Sequence, residues 1–113
     1  MKKTLIFIAF IATVVLFQFC SSARKAQKAA PKLSYATDVQ NLVSTHCSPC
    51  HVGANAKQKK LDSYDAAKTN IDDIIRRIQL NPTDRGFMPF RHPKLPDSTI
   101  QVFVTWRNDG LNQ

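Results

Sequence analysis

The sequence predicts an all-α domain, and its apolar pattern is the basis for that prediction. Apolar residues recur at helical spacing in three places between Leu33 and Gln113. No segment there shows the strict alternation of apolar and polar residues that is typical of a half-buried strand. The 113-residue chain has room for one domain, and residues 1–23 have the composition of an export segment that contributes nothing to the fold. Fewer than a hundred residues therefore remain to build a core.

Residues 1–23 begin with two lysines and continue with the apolar run Leu5 to Phe19. That run has 15 residues, whereas a helix that spans a bilayer needs about 20. Cys20 follows directly, so cleavage before Cys20 would leave a lipidated cysteine, although Phe19 is bulkier than lipoprotein signals usually have there. Cleavage after Ala23 would instead release a soluble product, and an uncleaved anchor is a third alternative. We slightly favour the lipoprotein, and either cleavage implies export.

Residues 24–32 (RKAQKAAPK) form a basic linker that is predicted to tether the domain, which spans 33–113. The formal charge of the chain is +8, and loss of residues 1–23 removes Lys2 and Lys3, which leaves +6. Such basicity suits an acidic partner surface or anionic lipid headgroups. Nucleic acid is not an expected partner of an exported chain.

The first predicted helix runs from Tyr35 to about Thr45. Ser34 or Thr37 can cap its N-terminus, because both side chains can accept a hydrogen bond from a free backbone amide. The end of this helix leads directly into a motif of cysteines and histidine. Its apolar face consists of Tyr35, Val39, Leu42 and Val43.

Two helices are predicted in the middle of the chain. After a polar, lysine-rich stretch over 52–60, a short helix begins near Ser63 and includes Tyr64. A longer helix then begins at Asn70 as the N-cap residue, with two aspartates in its first turn, and ends before Asn81-Pro82. The apolar face of this second helix consists of Ile71, Ile74, Ile75 and Ile78.

Residues 81–96 contain four of the six prolines of the chain. We therefore expect an extended loop with little conformational freedom, which is a form often used to present functional side chains. The last helix is predicted from Asp97 or Ser98 to Asn108, and Gly110 terminates it. The apolar residues of this helix are Ile100, Val102, Phe103, Val104 and Trp106.

Residues 47–51 read Cys-Ser-Pro-Cys-His, the C-x-x-C-H spacing by which a protein attaches a c-type haem covalently. The thiols of Cys47 and Cys50 can each form a thioether with a vinyl group of the porphyrin. His51 then faces the iron as the proximal ligand. Because Cys20 belongs to the export segment, this assignment accounts for all three cysteines.

Three other roles for this motif have less support. A thioredoxin-like redox pair requires a βαβ pattern nearby, which the sequence lacks. A zinc site could use His46 together with the motif, but structural zinc sites usually draw ligand pairs from two separate segments, and no second pair exists. A disulfide between Cys47 and Cys50 would close a very short loop and would leave His51 unexplained.

A haem bound by His51 alone has an open axial position, and Met88 is the best candidate to fill it. Apart from Met1, it is the only methionine, and it lies in the proline-rich loop away from any helical face. A neutral thioether stabilises ferrous iron relative to ferric iron and so raises the reduction potential. His92 is the main rival as distal iron ligand, and His46 is expected to point away.

Residues near Met88 are predicted to support its ligation. We expect Phe87 and Phe90 to exclude water from the iron and Pro89 to stiffen the approach of the loop. The alternative role for Met88 is that of a gap filler in a small core. Candidates for hydrogen bonds to the haem propionates are Arg85, Arg91, Tyr64 and Trp106.

Five segments between Tyr35 and Gly110 carry a family resemblance. They are YATDVQNLVSTHCSPCH, LDSYDAAK, IIRRI, GFMPF and LPDSTIQVFVTWRNDG. Through them the chain resembles a short monohaem class I cytochrome c of the bacterial, single-domain kind. The resemblance implies a cytochrome c-like bundle of three to four helices around one covalently bound haem c, with Cys47 and Cys50 in thioethers and His51 and Met88 on the iron.

The resemblance also implies an exported one-electron carrier of a respiratory-type chain, with no enzymatic activity. Its partners would be redox proteins such as a quinol-oxidising complex and a terminal oxidase, on the periplasmic face, with or without a lipid on Cys20. The alternative is a haem-based peroxidase or gas-binding sensor with a labile sixth ligand, although the chain has no glutamate and His92 is its only obvious distal imidazole. An electron-transfer subunit of a larger complex is a third interpretation.

Overall fold

A computed structural model describes residues 31–113, which form an all-α unit, as the sequence predicts. The predicted export segment, both of its cleavage sites and most of the basic linker lie outside the described residues. Within residues 31–113, no helix is both long enough and apolar enough to cross a membrane.

The first helical segment begins with a π-helical turn, Tyr35–Val39, and continues directly as helix α1, Gln40–His46. Ser34 caps this segment, because its hydroxyl oxygen accepts a hydrogen bond from the Thr37 amide at 3.3 Å. Of the two predicted caps, Ser34 is thus confirmed. The Asp38 carboxylate accepts hydrogen bonds from the Thr37 hydroxyl at 2.6 Å and from the Ser34 amide at 2.8 Å. These two bonds lower the pKa of Asp38.

Helix α2, Tyr64–Gln79, is continuous, so the predicted helix start at Asn70 is wrong. The side-chain amide of Asn70 donates a hydrogen bond through Nδ2 to the carbonyl oxygen of Ala66 at 2.7 Å, which is compatible with a helix interior. Ser63 is the true N-cap residue and accepts from the Ala66 amide at 3.2 Å. The buried face continues through the expected break, which stabilises a single helix, and consists of Ala67, Ile71, Ile74, Ile75 and Ile78.

Helix α3, Asp97–Asn108, has the predicted bounds. It ends in a Schellman motif, in which the Leu111 amide donates to the Trp106 carbonyl at 3.0 Å and the Gly110 amide donates to the Arg107 carbonyl at 3.3 Å. Gly110 has a φ of +100°, a left-handed conformation that residues with a Cβ adopt rarely. This explains why a glycine terminates the helix.

The core lies where the π-helical turn, α2 and α3 meet. Trp106 has 0 % exposure, and its ring centroid lies 5.9 Å from that of Tyr35 and 6.3 Å from that of Tyr64. The indole nitrogen of Trp106 donates to the Asn112 carbonyl at 2.7 Å, and the Tyr64 hydroxyl donates to the Leu111 carbonyl at 2.8 Å. The aromatic cluster therefore fixes the C-terminal residues against the first helical segment.

Candidate cofactor site

A cavity of about 460 Å³ lies beside the core and is bordered by the end of α1, the cysteine motif, α2 and the loop over 81–96. Its volume falls within the range of roughly 300–1,000 Å³ that is typical of sites for small molecules and cofactors. Apolar side chains from four parts of the chain form much of its wall. They are Leu61, Ile74, Ile78, Leu95 and Phe103.

The predicted thioether cysteines and the predicted iron ligands all border this cavity. Cys47, Cys50 and His51 lie at one part of it, and Met88 and the rival ligand His92 belong to the loop that forms another part. Both cysteines are free thiols, Cys47 half-buried and Cys50 exposed. The fold thus gathers residues that are far apart in the sequence.

The His51 ring is held in one orientation and one tautomer. Its Nδ1 lies 2.7 Å from the backbone carbonyl oxygen of Lys59. Because a carbonyl oxygen only accepts hydrogen bonds, Nδ1 carries the proton and donates it, and Nε2 keeps its lone pair. The backbone of His51 is fixed as well, since its amide donates to the Cys47 carbonyl and its carbonyl accepts from the Leu61 amide, each at 2.9 Å. His51 is therefore prepared to act as a metal ligand through Nε2.

Cys47 is the C-cap residue of α1, and its amide donates to the Val43 carbonyl at 2.9 Å. Burial raises the pKa of the Cys47 thiol to about 11. A catalytic redox cysteine has a pKa that is lowered, so that the thiolate forms at neutral pH. The pKa of Cys47 is thus shifted in the direction opposite to that of such a reactive cysteine.

Met88 is half-buried, and its backbone amide donates to the Arg77 carbonyl of α2 at 3.2 Å. The preceding Phe87 is buried with 6 % exposure but does not border the cavity. Phe90, however, is 64 % exposed, and the Arg91 guanidinium lies 5.0 Å from its ring centroid. Phe90 also borders the cavity, so its role in keeping water from the iron stays a prediction.

His92 and His46 both border the cavity, and both also border a neighbouring cleft of about 270 Å³. The His92 amide donates to the Pro89 carbonyl at 3.1 Å, so this rival ligand lies on the turn that directly follows Met88. His46, the last residue of α1, lies at the edge of the cavity, and its predicted direction away from the iron stays a prediction.

The predicted propionate donors do not border the cavity. Tyr64 and Trp106 donate to backbone carbonyls near the C-terminus instead, and Arg85 and Arg91 are exposed. The polar groups that do line the cavity come from the stretch before α2 and from α2 itself. They are Gln58, Lys59, Asn70, Asp73 and Arg77.

The spacing of the α2 residues could have revealed this polar lining. Asn70, Asp73 and Arg77 are separated by three and four positions, so they share one face of a helix. The predicted N-cap at Asn70 conceals this pattern, because an N-cap residue lies outside the helix. The continuous α2 brings all three to the cavity.

Among residues 31–113, no three His, Cys, Asp or Glu side chains come together in a group that could hold a metal ion. Comparison of the chain with known proteins yielded no match to a protein-family model, to a curated protein or to a solved structure.

Proposed function

We propose that this protein is a c-type cytochrome that carries single electrons. Cys47 and Cys50 hold one haem c through thioethers, and His51 and Met88 bind its iron. One observation carries the proposal: the cysteine motif and Met88, which lies 37 residues after His51 (88 − 51), border the same cavity. Two different kinds of iron ligand from distant parts of the chain are therefore available at one site.

The chemistry of the residues around the cavity fits a haem. Neither Cys47 nor Cys50 is in a disulfide, so both sulfur atoms are available for thioethers. The Nε2 atom of His51 is available to the iron, because Nδ1 donates a hydrogen bond to the backbone carbonyl of Lys59. The apolar wall suits the faces of a porphyrin.

The bound haem would supply a ferric/ferrous couple that gains or loses one electron. The chain itself holds the ligands in place. The Lys59 carbonyl fixes the His51 ring, and the neutral thioether of Met88 favours the ferrous state. Because the wall is apolar and the ligands are held by backbone bonds, little rearrangement is needed when the charge changes, which favours fast electron transfer.

The cytochrome c-like architecture and the location belong to the same proposal. The three helices α1, α2 and α3 and the π-helical turn form the bundle around the haem. Export by residues 1–23 would bring the chain to the periplasmic face, either anchored by a lipid on Cys20 or released after Ala23. Its basic charge suits acidic surfaces on redox partners such as a quinol-oxidising complex and a terminal oxidase.

Optical spectroscopy of the full chain, purified from a host that attaches haem c, tests this function. We expect a thioether-bound haem, a weak near-red band of methionine ligation in the ferric form, and only weak binding of carbon monoxide by the ferrous form. Ready binding of carbon monoxide without the near-red band would favour the alternative, a peroxidase or gas sensor with a labile sixth ligand. A chain that carries no covalent haem would contradict the proposal, and its intact mass would also give the state of Cys20.

A further inference from the structure

We infer that Arg77 is a positioning residue for Met88: it ties the loop that carries Met88 to helix α2 at two points. This role rests on the proposed ligation of haem iron by Met88. The two residues belong to different elements, since Arg77 is in the last turn of α2 and Met88 lies in the loop over 81–96. Arg77 itself is assigned no contact with the iron.

Both ends of the segment from Gly86 to Met88 are bonded to Arg77. The Met88 amide donates to the backbone carbonyl of Arg77 at 3.2 Å. The Arg77 guanidinium donates through Nη1 to the backbone carbonyl of Gly86 at 3.3 Å. Between these two bonds, Phe87 anchors the segment by burying its ring. The backbone that carries the Met88 side chain is therefore held by one residue of helix α2.

The guanidinium is itself oriented by Asp73, one helical turn earlier in α2. The Nε of Arg77 lies 2.8 Å from the Asp73 Oδ2, and the Arg77 side chain is only 35 % exposed. Asp73 also binds Arg76, and the hydrogen bonds from Arg77 and Arg76 lower the pKa of Asp73. A charged Asp73 keeps the Arg77 guanidinium directed at Gly86, because Nε donates to the carboxylate while Nη1 donates to the carbonyl.

The absence of a side chain at Gly86 leaves space for this guanidinium. Its φ is +92°, which favours glycine, and a Cβ at this position would lie 3.2 Å from the Arg77 Nη1. A side chain there would push the guanidinium away from the carbonyl that it binds. Gly86, Arg77 and Asp73 thus act together to position the backbone at Met88.

The test compares two arginines of the same helix in the full-length haem protein. Arg77→Met removes the bond to Gly86 and leaves the backbone bond to Met88, whereas Arg76→Met removes only an ion pair with Asp73 that has no contact with the loop. Added imidazole competes with Met88 for ferric iron, so its affinity reports how firmly the loop holds the ligand. We expect Arg77→Met to bind imidazole roughly five- to tenfold more tightly than wild type, the factor typical of one lost hydrogen bond, and Arg76→Met to match wild type within about twofold.

The outcomes separate this role from the proposed function. A wild-type protein without the near-red band of methionine ligation would overturn the ligation by Met88 and, with it, this role. A wild-type band together with unchanged imidazole affinity in Arg77→Met would overturn the role of Arg77 alone, as would an equal effect of Arg76→Met. If Arg77→Met does not fold, Arg77→Lys is measured by the same criterion. Its single ammonium cannot bind Asp73 and Gly86 in the geometry of a guanidinium.

Discussion

The Nδ1 of His51 lies 2.7 Å from the backbone carbonyl oxygen of Lys59, and this relationship sets the chemistry of the ring. The carbonyl belongs to a loop whose position depends on a second contact of the same residue. The Lys59 ammonium donates to the Asn70 Oδ1 at 2.9 Å and so ties the loop to α2. The backbone of Lys59 therefore orients His51, and the side chain of Lys59 holds the loop against α2.

Lys59→Met tests this anchor, because it removes the bond to Asn70 and keeps the carbonyl that holds His51. We expect the free energy of unfolding of the holoprotein to fall by about 0.5–1 kcal/mol, which is typical of one exposed hydrogen bond. Urea unfolding followed by haem absorbance measures this change. Lys60→Met is the matched control, since Lys60 is exposed and carries the same charge. Equal effects of the two substitutions would mean that the Lys59 side chain anchors nothing.

The choice of distal ligand is tested by Met88→Ala and His92→Ala. Both residues border the cavity, so either could compete for the iron. We expect Met88→Ala to lose the near-red band and to bind carbon monoxide in the ferrous form at least about tenfold more tightly, a factor equal to about 1.4 kcal/mol of lost competition. His92→Ala should retain the band and the wild-type affinity. The reverse pattern would make His92 the ligand.

The sequence predicts the cavity residues well where a motif has its own spacing. Cys47, Cys50 and His51 are recognisable as a unit, and Met88 stands out in a proline-rich loop. The hydrogen bond from His51 to the Lys59 carbonyl could not be predicted in this way, and neither could the hydrogen bonds that join Arg77 to the loop. A backbone carbonyl has no residue signature, and both contacts depend on how a loop packs against α2.

The helices show the same division between local and tertiary signals. The cap at Ser34 and the bounds of α3 follow from local preferences that the structure preserves. Asn70 has the local preference of a cap residue, but the buried face of α2 continues past it and overrides that preference. The exposure of Phe90 could not be predicted either, because the sequence of this loop does not show that Phe87 is buried while Phe90 is exposed.

Ser63→Ala tests whether α2 begins at Ser63. The Ser63 hydroxyl accepts from the Ala66 amide at 3.2 Å, and loss of such a cap costs about 1 kcal/mol. We expect a matching fall in the free energy of unfolding, measured by urea and circular dichroism. Ser98→Ala, in the exposed first turn of α3, should change it by less than about 0.5 kcal/mol. No loss for Ser63→Ala would contradict a helix start at this residue.

Acid should destabilise the first helical segment through Asp38. Hydrogen bonds from Thr37 and Ser34 lower the pKa of this carboxyl in the folded state below its ordinary value of 3.8. Its contribution to stability is therefore complete above the unfolded pKa and is lost as the pH falls through the folded pKa. Asp38→Asn should be less stable than wild type near neutral pH, and the difference should narrow as the pH falls below 3.8. Urea midpoints across this range measure it, and a constant difference would exclude titration of Asp38 as the cause.

Covalent haem should also be required for folding, because the domain is small and part of its apolar core borders the cavity. Chains of roughly 80 residues have a marginal core and usually need a further stabilising element. Without haem, Ile74, Ile78 and Phe103, which border the cavity, would lack the apolar macrocycle as a packing partner. We expect the double substitution Cys47→Ala and Cys50→Ala to yield a largely unfolded chain by circular dichroism. Ser48→Ala, within the same motif, should keep its haem and fold. A cooperative unfolding transition at room temperature in the double variant would show that the helices need no haem to assemble.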